Sequence, residues 1–133
     1  MNATKTVLDN HLGSFGRGDL DGILADYATG AILFTPDGPL VGVDAIRPLF
    51  VNLLAEFAKP GSSFDLKHQS VDGEHAYILW TAETADNRYD LATDTFVVRG
   101  GKIVAQSFAG RIVPKAQASR APANESPRRA TVG

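Results

Sequence analysis

Between residues 63 and 113 the chain is written as four runs of strand-forming residues with turn signals between them. Ser63 to Val71, Glu74 to Thr84, Tyr89 to Val98 and Lys102 to Val113 are separated by Asp72-Gly73, Ala85 to Arg88 and Gly100-Gly101. Such spacing indicates consecutive antiparallel hairpins. The first half has a different period. Val7, Leu8, His11, Leu12 and Phe15 form one helical stripe, which Gly16-Arg17-Gly18 ends. Asp19 is placed to cap a second helix with the stripe Leu20, Ile23, Leu24, Tyr27. Ala31 to Thr35 is short and apolar, and Pro36-Asp37-Gly38-Pro39 is a turn. Asp44 is expected to cap a third helix with the stripe Ile46, Leu49, Phe50, Leu53, Leu54, Phe57, stopped by Lys59-Pro60-Gly61. Pro48 fits there only in or near the first turn. Helices followed by antiparallel strands imply an α+β fold, with helices packed on one face of a curved sheet.

The 133 residues suit one core. With no cysteine, thiol catalysis and iron–sulfur or zinc-ribbon chemistry are excluded. A net charge of −2 argues against a nucleic-acid partner. No apolar run approaches the roughly 18 residues of a membrane span, and Met1 to Lys5 has no signal-peptide core, so a cytoplasmic protein is expected. Residues 114–133 hold four basic residues, one acidic residue and three of the seven prolines. They are expected to be a flexible basic tail on a folded body, 1–113.

Several motifs fail on context. The glycine-rich stretch Gly16 to Gly22 joins two helices and lacks dinucleotide-loop spacing. Its Arg17-Gly18-Asp19 is explained by that junction. His68 and His75 can share a hairpin face, but without a third ligand they make a poor metal site, and no metal or cofactor is expected. Two residues stand out. His11 sits within an apolar stripe, where a buried imidazole needs a hydrogen-bond partner. Asp94 lies mid-strand, on the face of Ala92, Phe96 and Val98, while Leu91, Thr93, Thr95 and Val97 occupy the other. Alternation alone leaves the inward face open. If Asp94 is inward, burial raises its pKa.

Gly18-Asp19-Leu20-Asp21, Tyr27-Ala28, Gly42, Ala45-Ile46-Arg47, Asp94-x-Phe96 and Gly101-Lys102-Ile103-Val104 occur in an order that resembles SnoaL-like proteins of the nuclear transport factor 2-like superfamily, which includes ketosteroid isomerases. The resemblance covers about residues 5–112. It implies a cone-shaped barrel: three helices closing a strongly curved, mostly antiparallel sheet around an apolar pocket, with dimers formed through the sheet.

Ketosteroid isomerases hold a substrate carbonyl with a tyrosine and a protonated aspartate, and use another aspartate as base. By the resemblance the tyrosine position is His11, the strand acid is Asp94 and the base position is Thr35. Threonine cannot take a carbon-bound proton at neutral pH, so a standard ketosteroid isomerase is not expected. The implied site is a catalytic pair, His11 and Asp94, bonded directly or through one water. Tyr27, Phe34, Thr35, Phe50, Trp80, Gln106 and Phe108 would meet a small hydrophobic molecule. The corresponding function is proton transfer on an apolar carbonyl compound, as in an isomerase, cyclase or dehydratase. The alternatives are a non-catalytic ligand binder and a protein-interaction module. The last hairpin distinguishes two registers: a two-residue turn sets Asp94 opposite Ser107, and a three-residue loop sets it opposite Gln106, with Phe108 opposite Ala92. The resemblance implies the second.

Overall fold

The computed structural model describes residues 3–115. Three helices, α1 (Ala3–Gly16), α2 (Leu20–Ala25) and α3 (Val43–Phe57), accompany six strands: β1 (Tyr27–Thr35), β2 (Gly38–Val41), β3 (Ser63–Asp72), β4 (His75–Glu83), β5 (Asn87–Arg99) and β6 (Lys102–Pro114). The strands form one curved sheet in the order β2-β1-β6-β5-β4-β3. All neighbours are antiparallel except β1 and β6. The sheet stays open, so it is a cone with two edges rather than a closed barrel.

The helical stripe of α1 buries Thr4, Val7, Leu8, His11 and Ser14. Asp19 caps α2 by accepting from the Gly22 N–H at 3.0 Å. That helix is shorter than its apolar pattern suggests: it ends at Ala25, and Tyr27 opens β1 instead of completing the stripe. The N-cap of α3 is Gly42, not Asp44. Its φ of 88° is open to glycine, and its N–H bonds Ala31 O at 2.7 Å. Pro48 therefore falls in the second turn, two residues deeper than expected, at an exposed position. The first hairpin turns on Gly73-Glu74, since Asp72 pairs with His75.

Two β-bulges decide which side chains face inward. On β5 the pairs Tyr89–Ile112 and Leu91–Arg111 leave Asp90 as an extra residue. Tyr89 thus shares the buried face with Ala92, Asp94, Phe96 and Val98, which simple alternation would deny it. On β6 the pairs Val98–Ile103 and Val97–Ala105 leave Val104 extra. Neither expected register of the last hairpin occurs. The turn is the two-residue Gly100-Gly101, with Arg99 opposite Lys102, but the bulge at Val104 then shifts the ladder so that Asp94 faces Phe108 and Phe96 faces Gln106. Asp94, Gln106 and Phe108 consequently lie on one face.

The described body runs slightly past 113. Pro114 ends β6, and Lys115 binds Asp86 O through its N–H and Glu83 through its ammonium. The expected tail otherwise lies outside the described residues. No described helix is long and apolar enough to cross a membrane.

Gly100 and Gly101 have φ of 62° and 77°, and a Cβ added at either would meet nothing within 4 Å. Gly100→Ala should therefore destabilise through backbone strain alone, by about 1 kcal/mol. Urea unfolding should show a lower midpoint with an unchanged slope.

Candidate functional site

A cavity of about 530 Å³ lies between α1, α3 and the inner face of the sheet, with lining residues from all six strands. Its wall is mainly apolar: Leu12 and Phe15 from α1, Leu49 and Leu53 from α3, Leu33 from β1, Ile78 from β4 and Phe96 from β5. Phe64, Tyr89 and Phe108 surround Trp80, with ring centroids 5.2, 5.5 and 6.2 Å from it.

One part of this wall is polar and continuous. Asp94, only 8% exposed, accepts from Trp80 Nε1 and from Gln106 Nε2, each at 2.8 Å. Gln106 accepts through Oε1 from the Tyr27 hydroxyl. That hydroxyl lies 3.4 Å from His11 Nε2, and His11 Nδ1 lies 3.2 Å from an oxygen of Asp26, the C-cap residue of α2. The rings of Tyr27, Phe50 and Phe96 meet the His11 ring edge-on. Among the described residues no buried side-chain nitrogen or oxygen lacks a partner.

Burial pushes the Asp94 carboxyl above the usual carboxylate range. The hydrogen bonds from Trp80 and Gln106 and the nearby His11 oppose that rise without cancelling it. Burial, reinforced by Asp94 and Asp26, holds the Tyr27 phenol well above its ordinary value, so it remains a hydroxyl at neutral pH.

A second polar group occupies another part of the cavity. Glu56 on α3 accepts from Thr84 at 2.6 Å, Asn87 at 2.8 Å and the Tyr89 hydroxyl at 3.0 Å. Burial, then Glu56, raises the Tyr89 phenol. Thr35 also lines the cavity, but its hydroxyl is engaged in the β1–β2 turn, donating to Gly38 O and accepting from the Asp37 N–H. Asp37 lines the rim two residues further on.

The structure brings His11, Asp94, Thr35, Phe50, Trp80, Gln106 and Phe108 to one cavity. Three expectations need correction. Phe34 is no wall: it is 49% exposed on the opposite face of β1, because Leu33 and Thr35 take the inward positions. Tyr27 lies outside the lining and acts from behind it, between His11 and Gln106. His11 and Asp94 are not bonded to each other; Tyr27 and Gln106 stand between them.

The sequence reading missed Asp26, Glu56 and Tyr89. Asp26 carried a signal, since a carboxylate at a helix C-terminus opposes the helix dipole and calls for a compensating partner. Tyr89 was hidden by the bulge at Asp90. Glu56 looked like an ordinary polar residue beside a helical stripe. Among the described residues no group of three histidine or acidic side chains could hold a metal ion.

The model of the SnoaL-like domain matches residues 8–106. The chain belongs to the SnoaL-like family. No curated protein sequence matches this SnoaL-like chain. Solved structures match its fold. One is the epoxide hydrolase/cyclase-like enzyme SalBIII, of pyran ring formation in salinomycin, at 19% identity and a TM-score of 0.70, covering 84% of this chain and 95% of that one. Another is a candidate ketosteroid isomerase from Kribbella flavida, at 13% identity and 0.67, covering 81% and 77%. A third is an NTF2-like protein of unknown function from Mesorhizobium loti, at 21% and 0.70, covering 81% and 90%. At these identities the likeness is one of fold.

The raised Asp94 pKa has a consequence for stability. An acid whose folded pKa lies above its unfolded value contributes stability below the unfolded pKa, near 3.8 here, and that contribution is lost as pH rises through the folded pKa. Asp94→Asn should remove this loss. Melting temperatures followed from about pH 4 to about pH 8 should show the variant gaining on wild type as pH rises.

Proposed function

We propose that this SnoaL-like protein binds a small apolar carbonyl compound in the cavity and moves a proton on it. The observation that carries this reading is the continuous buried polar strip, Asp94 with Gln106 and His11, set in a mainly apolar wall. Such a wall desolvates an apolar ligand, and a short polar strip fixes its orientation. An Asp94 carboxyl displaced toward its neutral form can donate to a carbonyl oxygen as negative charge develops there. The SalBIII and isomerase-type structures of the same fold support chemistry in such a cavity, though none transfers a substrate.

Trp80 is the chain's only tryptophan, so its emission reports on the cavity directly. Titration with an apolar cyclic enone should change that emission saturably, and Asp94→Asn should weaken the response. An emission unchanged by the enone at its solubility limit would count against the ligand site. Native mass spectrometry of freshly purified protein is the route to the natural ligand.

The engaged hydroxyl of Thr35 leads to a second expectation. Wild type should show negligible Δ5-3-ketosteroid isomerisation, because the base position holds no carboxylate. Thr35→Asp should gain measurable conjugated-enone formation, a positioned base being worth about 10²–10⁴-fold. Robust wild-type activity that disappears in Asp37→Asn would move the base to Asp37.

A further inference from the structure

The series Asp26–His11–Tyr27–Gln106–Asp94 contains four links, and each needs one hydrogen between its two heavy atoms. A neutral imidazole brings one. The Tyr27 hydroxyl brings one. Gln106 brings one, because it meets one neighbour through its NH₂ and the other through its oxygen. Two carboxylates bring none. Three hydrogens cannot make four hydrogen bonds. We propose that this series binds one additional proton at neutral pH, and that Gln106 and Tyr27 are the positioning residues that make its two ends share it.

The proton has two principal placements. On His11, the imidazolium donates from Nδ1 to Asp26 and from Nε2 to Tyr27, Tyr27 donates to Gln106 Oε1, and the Gln106 amide donates to Asp94. The last two bonds run in this direction in the structure. On Asp94, three bonds reverse and the one to Asp26 does not: the carboxyl donates to Gln106 Oε1, the amide, turned end for end, donates to Tyr27, Tyr27 donates to His11 Nε2, and Nδ1–H still donates to Asp26. The two arrangements contain the same atoms and carry the same net charge. A proton on Asp26 reverses only the link to His11 Nδ1 and keeps the first direction from His11 to Asp94. Trp80 supplies its own hydrogen to Asp94, so it does not alter the count.

Without the proton, one link sets two lone pairs against each other in a buried site, where an unmade hydrogen bond is expensive. The surroundings favour uptake. Asp26 from the end of α2, Tyr27 from β1 and Asp94 from β5 belong to the series itself. Glu56 from α3, hydrogen-bonded to Tyr89 of β5, and Asp37 from the β1–β2 turn face the same cavity. No lysine or arginine lines it among the described residues. The proton count rests on hydrogen-bond geometry and holds whether or not the site is catalytic. If the proposed proton transfer operates, the arrangement places a donor at Asp94 with a connected proton store at His11.

Imidazole ¹⁵N and carboxyl ¹³C NMR test the count without any substrate. His68 and His75 are exposed and serve as internal references. At neutral pH the wild type should show either hydrogen on both His11 nitrogens or a protonated Asp94 or Asp26 carboxyl. Tyr27→Phe and Gln106→Leu each split the series into parts with enough hydrogens. Both should release the proton about one to two pH units lower than wild type, the equivalent of one unmade buried hydrogen bond. Trp80→Phe should retain the proton. Asp94→Asn supplies the fourth hydrogen itself and should hold His11 as the Nδ1–H tautomer with no additional proton. The proposal is overturned if wild-type His11 carries one hydrogen while both carboxyls are ionised at neutral pH. Proton release at the wild-type pH in both splitting variants, or an Nε2–H imidazole in Asp94→Asn, would also overturn it.

Discussion

A carboxyl group inside an apolar cavity is the constraint around which this molecule is arranged. Moving an isolated charge from water into such a site costs several kcal/mol even after relaxation. Asp94 avoids much of that cost through two 2.8 Å hydrogen bonds, from Trp80 on the neighbouring strand β4 and from Gln106 on β6. Both donors require partners held in one geometry. Trp80 is packed among Phe64, Tyr89 and Phe108, and Gln106 is steadied by the Tyr27 hydroxyl. Tyr27 in turn meets His11, and His11 meets Asp26. One buried acid thus organises side chains from α1, the end of α2, β1, β4, β5 and β6.

The backbone feature that permits this is irregular pairing. A ladder without bulges, continued from the Gly100-Gly101 turn, would send Gln106 and Phe108 to the outer face. The extra residue Val104 reverses them, and the extra residue Asp90 brings Tyr89 inward toward Glu56. Bulges also bend strands, so the same two residues contribute to the curvature of the sheet around the cavity. Curvature and inward polar groups are therefore two outcomes of one set of defects in an otherwise regular sheet.

The cavity has two acidic centres with different characters. Glu56 accepts from hydroxyl and amide donors of Thr84, Asn87 and Tyr89, and so ties α3 to the β4–β5 hairpin. Asp94 is more deeply buried and is displaced toward its neutral form. Fold-mates of this SnoaL-like chain include both an enzyme and proteins of unknown function, so the fold alone does not select between catalysis and binding. The chemistry resides in which inward positions carry polar groups and how those groups are joined.

Much of the architecture was legible in the chain itself, because it depends on local periodicity. The α1 stripe, the Asp19 cap and four consecutive strands all follow from spacing and turn residues that act over a few positions. His11 and Asp94 were legible as anomalies, a histidine in an apolar stripe and an aspartate in a strand. Their connection was not. Whether Asp94 faced inward, whether Phe34 or its neighbours lined the cavity, and whether Tyr27 belonged to a helix or a strand depended on bulges, a parallel β1–β6 pairing and an early end to α2. Those choices are settled by packing between segments distant in sequence: Tyr27 is 79 residues from the Gln106 it bonds, and His11 is 15 from Asp26. Periodicity determines which residues could face a core. Only the assembled sheet, in which one extra residue exchanges the two faces, decides which of them do.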